Sequence, residues 1–247
     1  ETAFTDRSVS LESFNTSLLK EPWEVKNGSG RPFQVFTPYW RKSRAGIYRE
    51  PAKYSLKTLS FSNLKSDEMG LDELELLPSH DWHLKLSEHW DVSEKAAHKL
   101  IQRTTEVITR SYATARNIPS KDGTSRLSPY LAWGLVSPRQ ICQAVLTADN
   151  EGGHRGENKY LVEIGWREFS YQLLYHFPHI ADQPLREKYS TFPWLDDKKS
   201  LHAWQFGNTG YPMVDAGMRQ LYETGWMHNR VRMVVASFLV KHLLISW

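Results

Sequence analysis

A short stretch of the chain at residues 122–140, DGTSRLSPYLAWGLVSPRQ, combines groups that could bind an anion. Thr124, Ser125 and Arg126 offer two hydroxyls and a guanidinium, and two Ser-Pro pairs follow them. Serine caps helices well and proline suits the first helical position, so each pair predicts a helix start. A helix N-terminus has unpaired N–H groups and partial positive charge, which favour anions. The stretch therefore predicts either a diphosphate site or two ordinary helix starts.

A second set of polar groups lies on a predicted helix at residues 157–176. Glu163, Trp166 and Arg167 fall on one side of it. A carboxylate, an indole and a guanidinium on one side are not typical of a helix face that packs in a hydrophobic core. On the residues alone, the ordinary interpretation is an amphipathic helix. Its Glu163 and Arg167 would then pair one turn apart, which stabilises a helix by only about 0.2–0.5 kcal/mol.

A third candidate site opens the C-terminal segment WMHNRVRMVVASFLVKHLLISW. Spacings of four and three predict one continuous stripe that is apolar except at its first member, made of Asn229, Met233, Ala236, Val240, Leu243 and Trp247. A polar residue that heads a buried stripe needs hydrogen-bond partners. The pattern therefore predicts either a ligand contact or a capped, partly exposed asparagine. Arg230 and Arg232 add charge suited to phosphate contacts.

The elements that must position these groups are almost all helices. Ser93 can cap a helix over residues 94–116, and apolar periodicity predicts further helices at 129–133, 138–148, 157–176, 212–223 and 226–246. Ahead of them, Pro32–Phe36 reads as a short strand. These patterns predict a mostly α protein with three parts: an α/β remnant at residues 1–40, a linker at 41–81 and a helical domain at 82–247.

Composition limits the class of protein without identifying it. A net charge of +3 and a pI near 8.8 permit a nucleic-acid partner but do not require one. The single cysteine excludes a disulfide framework within the chain and fits a reducing cytosol. No segment is apolar enough to predict a membrane span, and the histidines, including His176 and His179, lack metal-ligand spacing. Ten tryptophans are more than packing normally requires.

The stretch GTSRLSPYLAWGLVSPR closely resembles the flavin diphosphate cradle of the photolyase and cryptochrome family. In that family a tyrosine twelve residues before the threonine also contacts the cofactor, and Tyr112 stands there. The resemblance implies that FAD is bound by Tyr112, Thr124, Ser125, Arg126, Leu127 and Ser128. It also places Arg116, one turn after Tyr112, near the DNA backbone.

The Glu-x-x-Trp-Arg helix is similar to the substrate helix of photolyases that repair cyclobutane pyrimidine dimers. In such enzymes the damaged bases leave the stack before the chemistry. The resemblance implies that Trp166 stacks on the extruded dimer and that Glu163 hydrogen-bonds the thymine edge. It gives Arg167 a contact to the cofactor or to the DNA backbone.

The segment GWMHNRVRM resembles the class I type of dimer photolyase, in which Asn and Met line the flavin and substrate pocket. Relatives that repair (6-4) photoproducts typically carry histidines here, and plant-type cryptochromes typically have Asp in place of Asn. The resemblance therefore implies that Asn229 and Met233 are catalytic and favours repair over signalling. It places Asn229 and Arg232 at the cofactor and Asn229 and Arg230 at the DNA.

Photolyases carry an electron from the protein surface to excited flavin along three tryptophans. By motif, Trp204 resembles the outer member and Trp247 the middle one, and the inner member is expected beyond Trp247. Trp133, Trp194 and Trp226 are assigned to packing, the default for aromatic residues.

The resemblance covers residues 30–247, and it relates RPFQVFTPYWRK to the last strand region of the family's N-terminal α/β domain. It implies a deoxyribodipyrimidine photo-lyase that acts as a monomer in the cytoplasm, on DNA containing pyrimidine dimers, through reduced FAD (FADH⁻). A second antenna chromophore, a folate or a deazaflavin, is expected in the full-length protein. The alternatives are a cryptochrome-like photoreceptor without repair activity and a helical DNA-binding module without a cofactor.

The chain begins without methionine and ends inside a helical pattern, so it is expected to be part of a longer protein. On that expectation this part alone binds FAD weakly or not at all and repairs nothing.

Overall fold

A computed structural model describes residues 12–46, 60, 70–150 and 155–247. Helices dominate these residues, and an isolated bridge between Lys26 and Pro32 is the one β-type pairing found in them. The predicted mostly α fold is confirmed. None of the helices in the described part is both long and apolar enough to span a membrane. The predicted boundaries at residues 40 and 81 stay predictions.

Ten α-helices are present in the described residues, and two of them continue into π-helical turns. In chain order they are α1 (Phe36–Ser43), α2 (Trp82–Ser87), α3 (Glu94–Arg103), α4 (Thr109–Ala115), α5 (Ser128–Ala132), α6 (Pro138–Asn150), α7 (Arg155–His176), α8 (Lys198–Gln205), α9 (Pro212–Thr224) and α10 (Asn229–Ser237). The π turns are Thr104–Ile108, between α3 and α4, and Phe238–His242, after α10. Short 3-10 turns are Pro22–Glu24, Leu71–Leu74, Pro178–Ala181 and Glu187–Tyr189.

The chain divides into two compact units. The first comprises residues 1–51, 94–116 and 122–190, and the second comprises residues 52–93, 117–121 and 191–247. In the first unit α4 packs along α7, and α6 packs against both α3 and α7. The helix predicted over residues 94–116 is present, as α3, a π turn and α4 in direct succession.

The strand predicted at Pro32–Phe36 is absent, and α1 begins at Phe36 instead. Pro38 is tolerated as the third residue of α1, because the first N–H groups of a helix have no partner within the helix. The helix forms because it buries Tyr39, which packs with Val25 and Phe169 in a small apolar cluster. The short apolar run is compatible with a strand or a helix, and the burial of Tyr39 favours the helix.

The second unit is built around α9 and α10, which pack closely against one another. Their buried residues form one cluster of Val214, Met218, Met227, Val231, Val235 and Phe238. A Cβ atom on Gly217 would lie 2.5 Å from Cγ1 of Val231, closer than such atoms ever approach. Glycine at this position therefore lets the two helices approach each other.

The helix predicted over residues 226–246 is shorter than expected. α10 starts at Asn229, the π turn ends at His242, and Leu244 has a left-handed backbone with φ of 54°. The predicted apolar stripe is not the buried face of α10, because Asn229, Met233 and Ala236 are exposed. The buried face is the neighbouring one, because Val231 and Val235 pack on α9. Both faces are apolar, and the sequence pattern did not distinguish them.

Glu168 of α7 is a buried carboxylate that fixes the N-terminal segment of the first unit. One of its oxygens accepts hydrogen bonds from the backbone N–H of Leu19 at 2.7 Å and of Lys20 at 3.4 Å. The other accepts from Arg167 Nη1 at 3.1 Å. Burial nevertheless raises the pKa of Glu168 to about 7, because the loss of hydration outweighs these favourable contacts.

We predict that Glu168 makes the first unit less stable as the pH rises. A pKa raised from 4.5 to about 7 in the folded state means that the folded protein prefers the protonated form. This stabilising contribution is complete below pH 4.5 and is lost as the pH passes 7. Between these limits the unfolding free energy of the wild type, relative to that of Glu168→Gln, should fall by up to about 3 kcal/mol.

Urea denaturation of both proteins from pH 4.5 to 8 measures this difference. Glu106→Gln, which neutralises an exposed glutamate of the same unit, is the matched control: it retains Glu168 and should therefore lose stability with rising pH as the wild type does. A difference between wild type and Glu168→Gln that is constant or rises with pH would contradict the prediction.

Candidate functional site

The loop at residues 122–128 combines a buried anchor with exposed polar groups. Gly123 and Leu127 are buried, whereas Arg126 and Ser128 are exposed and Thr124 is partly so. A Cβ on Gly123 would lie 2.7 Å from Cβ of Ala115. Glycine is thus needed at this position because the loop packs closely on the end of α4.

The backbone of the loop turns at Arg126, which has a left-handed φ of 54°. Non-glycine residues seldom adopt this conformation and tend to do so at functional turns. Arg126 Nε lies 3.6 Å from an oxygen of Asp122. Leu127 as a whole is only 1% exposed, and its predicted contact with the cofactor stays a prediction.

Ser125 is held from inside the unit by Tyr160 of α7. The Tyr160 hydroxyl donates a hydrogen bond to Ser125 Oγ at 3.0 Å, and the backbone N–H of Leu127 donates to the same oxygen at 3.4 Å. The Tyr160 ring packs edge-on against Tyr112, with ring centroids 5.1 Å apart. Tyr160 was not among the predicted site residues, because its aromatic side chain on the buried side of α7 gave no signal other than packing.

Glu163 pairs with Arg116 and not with Arg167. Arg116 Nη1 donates to Glu163 Oε1, and these side chains are 16% and 29% exposed. The Arg116 guanidinium also lies over the Tyr112 ring, 5.4 Å from its centroid. Burial, followed by the charge of Glu163, raises the pKa of the Tyr112 hydroxyl to about 12. Three predicted site residues, Tyr112, Arg116 and Glu163, are therefore in contact.

Trp166 stacks on an aromatic side chain of α1. Its ring and that of Phe36 are nearly parallel, with centroids 3.7 Å apart and an interplanar angle of 9°. Phe169 meets Trp166 edge-on at 6.0 Å. The Trp166 residue remains 45% exposed. One face of the indole is thus covered by protein, and the residue is still open to a planar ligand.

Arg167 is committed mainly to the structure of its own unit. Its Nη1 donates to the carbonyl oxygen of Ser17 at 2.7 Å and to Glu168 at 3.1 Å. Its guanidinium lies 4.7 Å from the centroid of the Tyr171 ring. Its buried Nη2 makes no hydrogen bond to the described residues. A role for Arg167 at the cofactor or the DNA therefore stays a prediction.

In the second unit, the predicted residues of α10 line an open surface. Met233 is 55% exposed and borders a groove of about 610 Å³ between α9 and α10. Arg232 is also exposed. Arg230 is fixed, since its Nε and Nη2 donate to Asn117 Oδ1 at 2.9 and 2.6 Å. The N-cap of α10 is His228, whose Nδ1 accepts the N–H of Arg230, so Asn229 is not the capping residue.

The tryptophans of the second unit make specific contacts, whereas the electron-transfer roles predicted for Trp204 and Trp247 stay predictions. Trp247 meets Trp194 edge-on, with ring centroids 5.7 Å apart, and Trp194 in turn lies 4.4 Å from Phe192. Trp204 donates from Nε1 to the Val235 carbonyl at 3.0 Å and packs on the core of the unit. Trp194, which had been assigned to packing, is thus a neighbour of Trp247. The sequence alone does not indicate which indole makes this contact.

The residues of the 122–128 loop fit a phosphate-bearing ligand. Thr124, Ser125 and Ser128 supply hydroxyls and Arg126 supplies positive charge, on a backbone whose left-handed turn is anchored by buried neighbours. Hydroxyls and guanidinium groups are the usual donors to phosphate oxygens. The first unit brings this loop close to Tyr112 through Tyr160. It separately places Glu163 and Trp166 one turn apart on α7.

Two family models match the chain. Residues 160–247 match the model described as the FAD binding domain of DNA photolyase, and residues 1–55 match the model described as DNA photolyase. The first match includes Glu163, Trp166, Asn229 and Met233. The second covers the segment related by sequence to the N-terminal domain.

Curated relatives include deoxyribodipyrimidine photo-lyases and cryptochromes. The deoxyribodipyrimidine photo-lyase of Agrobacterium fabrum is 39% identical over 243 residues, which cover 98% of this chain and 51% of the relative. Cryptochrome-2 of Arabidopsis thaliana is 35% identical over 257 residues, which cover 98% of this chain and 42% of the relative. The chain spans about half the length of the curated photolyases that it matches.

The solved structures that resemble the chain also include both a photolyase and a cryptochrome. A bacterial class III photolyase from Agrobacterium tumefaciens is 38% identical with a TM-score of 0.91, and the match covers 100% of this chain and 51% of that one. A cryptochrome from Synechocystis is 28% identical with a TM-score of 0.86, covering 100% and 52%. These matches support the family and not one subclass of it. On sequence, family models and structure together, the chain belongs to the photolyase and cryptochrome family.

Proposed function

We propose that the full-length protein is a light-driven DNA repair enzyme that splits cyclobutane pyrimidine dimers with reduced FAD as cofactor. The observation that carries the proposal is the pairing on α7 of a half-exposed, stacked Trp166 with the Glu163 carboxylate. An open indole suits a base that has left the helix. A carboxylate one turn away can accept hydrogen bonds from the edge of that base.

The loop at residues 122–128 would hold the diphosphate of FAD through Thr124, Ser125, Arg126 and Ser128. When bound, reduced and excited FAD supplies the electron that opens the cyclobutane ring and receives it back afterwards. Tyr112 would add a contact to the cofactor. The protein thereby contributes binding, orientation and electrostatics, while the difficult chemistry belongs to the cofactor.

Other residues would meet the lesion and the DNA. Trp166 would stack on the extruded dimer, and Glu163 would hydrogen-bond the thymine edge. Asn229 and Met233, exposed on α10, would line the flavin and substrate pocket. Arg116, Arg167, Arg230 and Arg232 are candidates for contacts to phosphate groups of the DNA or the cofactor. The protein would act as a monomer on DNA in the cytoplasm.

A cryptochrome-like photoreceptor that binds FAD without repairing DNA is the second candidate. The 35% identity to Arabidopsis Cryptochrome-2 favours it. Glu163, Trp166, Asn229 and Met233 together favour the repair enzyme. The two candidates share a flavin site, so only an assay of the lesion distinguishes them.

Repair of a defined lesion is the direct test of the proposal. Purified full-length protein with fully reduced FAD should convert an oligonucleotide that contains a thymine dimer to the undamaged strand in blue light. The same mixture kept in darkness should leave the lesion intact. Chromatography of the oligonucleotide measures the conversion, and no light-dependent repair by the fully reduced protein would refute the enzymatic proposal.

Neutralising Glu163 should separate repair from photoreduction. In Glu163→Gln the side chain keeps its shape but loses the charge that pairs with Arg116. The repair rate should fall by about 10-fold or more, since a hydrogen bond involving a charged group is worth about 1.5–3 kcal/mol. Light-driven reduction of the flavin, followed by absorbance, should stay within about twofold of the wild type, because it does not use the lesion.

Glu106→Gln, on an exposed surface of the same unit, is the matched control and should repair normally. If Glu163→Gln repairs as fast as wild type, Glu163 has no role at the lesion. If it slows photoreduction as much as repair, its effect is on the protein or the flavin and not on the substrate.

The contact between Trp247 and Trp194 leads us to predict that Trp194 carries the electron onward to the surface. Trp194→Phe should largely abolish photoreduction of oxidised flavin in the full-length protein, because a phenyl ring is much harder to oxidise than an indole. Trp204→Phe, measured in parallel by transient absorption, should leave it largely intact. The opposite result would support Trp204 as the outer member, as the sequence motif indicates.

A further inference from the structure

The hydroxyl of Ser125 has an unusual set of hydrogen bonds. In the described part of the chain its oxygen accepts from the Tyr160 hydroxyl at 3.0 Å and, more weakly, from the Leu127 N–H at 3.4 Å. No described residue accepts a hydrogen bond from it. Ser125 itself is partly exposed. The hydroxyl is therefore engaged only as an acceptor within the protein.

A serine hydroxyl can accept two hydrogen bonds and donate one. Because both accepting positions of the Ser125 hydroxyl are used, only its hydrogen remains available, and it can donate a hydrogen bond to another molecule. That hydrogen can meet only an acceptor. The neighbours of Ser125 on the exposed side of the loop, Thr124, Arg126 and Ser128, also carry donors, so the loop as a whole suits an anion.

Tyr160 is well suited to impose this arrangement. It is only 3% exposed, on α7, and its ring is held edge-on against Tyr112. Burial raises the pKa of its hydroxyl, so the group stays protonated. A buried phenol needs a hydrogen-bond acceptor, and Ser125 Oγ is the one that the structure provides.

We propose that Tyr160 is a positioning residue for the cofactor site. Its buried hydroxyl donates a hydrogen bond to Ser125 Oγ and thereby orients the Ser125 hydroxyl hydrogen toward a phosphate oxygen of the dinucleotide. This inference rests on the proposed function, since it takes the loop at residues 122–128 to hold the FAD diphosphate. It adds a residue that does not touch the ligand and that acts on it through one hydroxyl.

Removing the Tyr160 hydroxyl tests the inference. Tyr160→Phe keeps the ring contact with Tyr112 but frees one accepting position on Ser125. The dissociation constant for FAD, measured by equilibrium dialysis of the full-length protein, should rise about 10-fold, the effect expected for one misdirected hydrogen bond to a charged group. Ser125→Ala should weaken binding at least as much.

The double variant separates positioning from a general structural role. If Tyr160 acts through Ser125, Tyr160→Phe should cost no further affinity once Ser125→Ala is present, so the two losses should not add. Ser125→Thr, which keeps a hydroxyl, should bind FAD within about threefold of wild type, because it retains the charge-assisted hydrogen bond. Tyr39→Phe, which removes a hydroxyl from another buried tyrosine of the same unit, is the matched control and should bind FAD normally.

The possible failures can be told apart. Wild-type protein that binds no FAD would refute the proposed cofactor site and this inference with it. If the wild type binds FAD, unchanged affinity in Tyr160→Phe, or losses that add in the double variant, would overturn the inference alone. Thermal melting checks that each variant is folded. If Tyr160→Phe does not fold, Ser125→Ala decides, because wild-type affinity in that variant would overturn the inference.

Discussion

The first unit depends on the way in which α7 is held along its buried side. Glu168 accepts backbone N–H groups from Leu19 and Lys20, and a Cβ on Gly165 would lie 2.4 Å from the Trp40 ring. These contacts fix the position of the helix relative to α1 and to the N-terminal segment. Because they are made on one side, the helix can leave Trp166 half-exposed on another without losing its place.

A buried carboxylate is a costly way to fix a helix. Its hydration is lost on folding, and the raised pKa of Glu168 shows that the surrounding donors do not fully replace it. In return, the carboxylate can accept from two successive backbone N–H groups and from Arg167 at once. An apolar side chain could pack there but could not satisfy those N–H groups.

Much of the helical framework could be predicted from sequence, because amphipathic periodicity and Ser-Pro starts are local signals. α5, α6, α7 and α9 begin and end within a few residues of the predicted bounds. Two local signals misled: the apolar run before α1 fitted a strand as well as a helix, and α10 carries two apolar faces. In both cases tertiary burial decided between alternatives that the pattern allowed.

The partners of the candidate site residues could not be predicted, because they are distant in sequence. Glu163 had an obvious partner one turn away in Arg167, yet it pairs with Arg116, 47 positions earlier. Ser125 is held by Tyr160, 35 positions later. Motif resemblance identified the polar groups but not which of them meet. Tyr160 and Trp194 contact predicted site residues but could not be identified as their neighbours for the same reason, since an aromatic residue in a helical pattern indicates only packing.

The stack of Phe36 on Trp166 limits how this site can recognise anything planar. An indole with one side already occupied can form only a single further face-to-face contact, so a guest cannot be sandwiched by that residue. A single contact of this kind is nearly blind to chemical identity, since every nucleobase offers a similar flat surface. Under the proposed function, discrimination would therefore come from groups that reach the edge of the bound base, and on α7 the side chain suited to that is the carboxylate of Glu163.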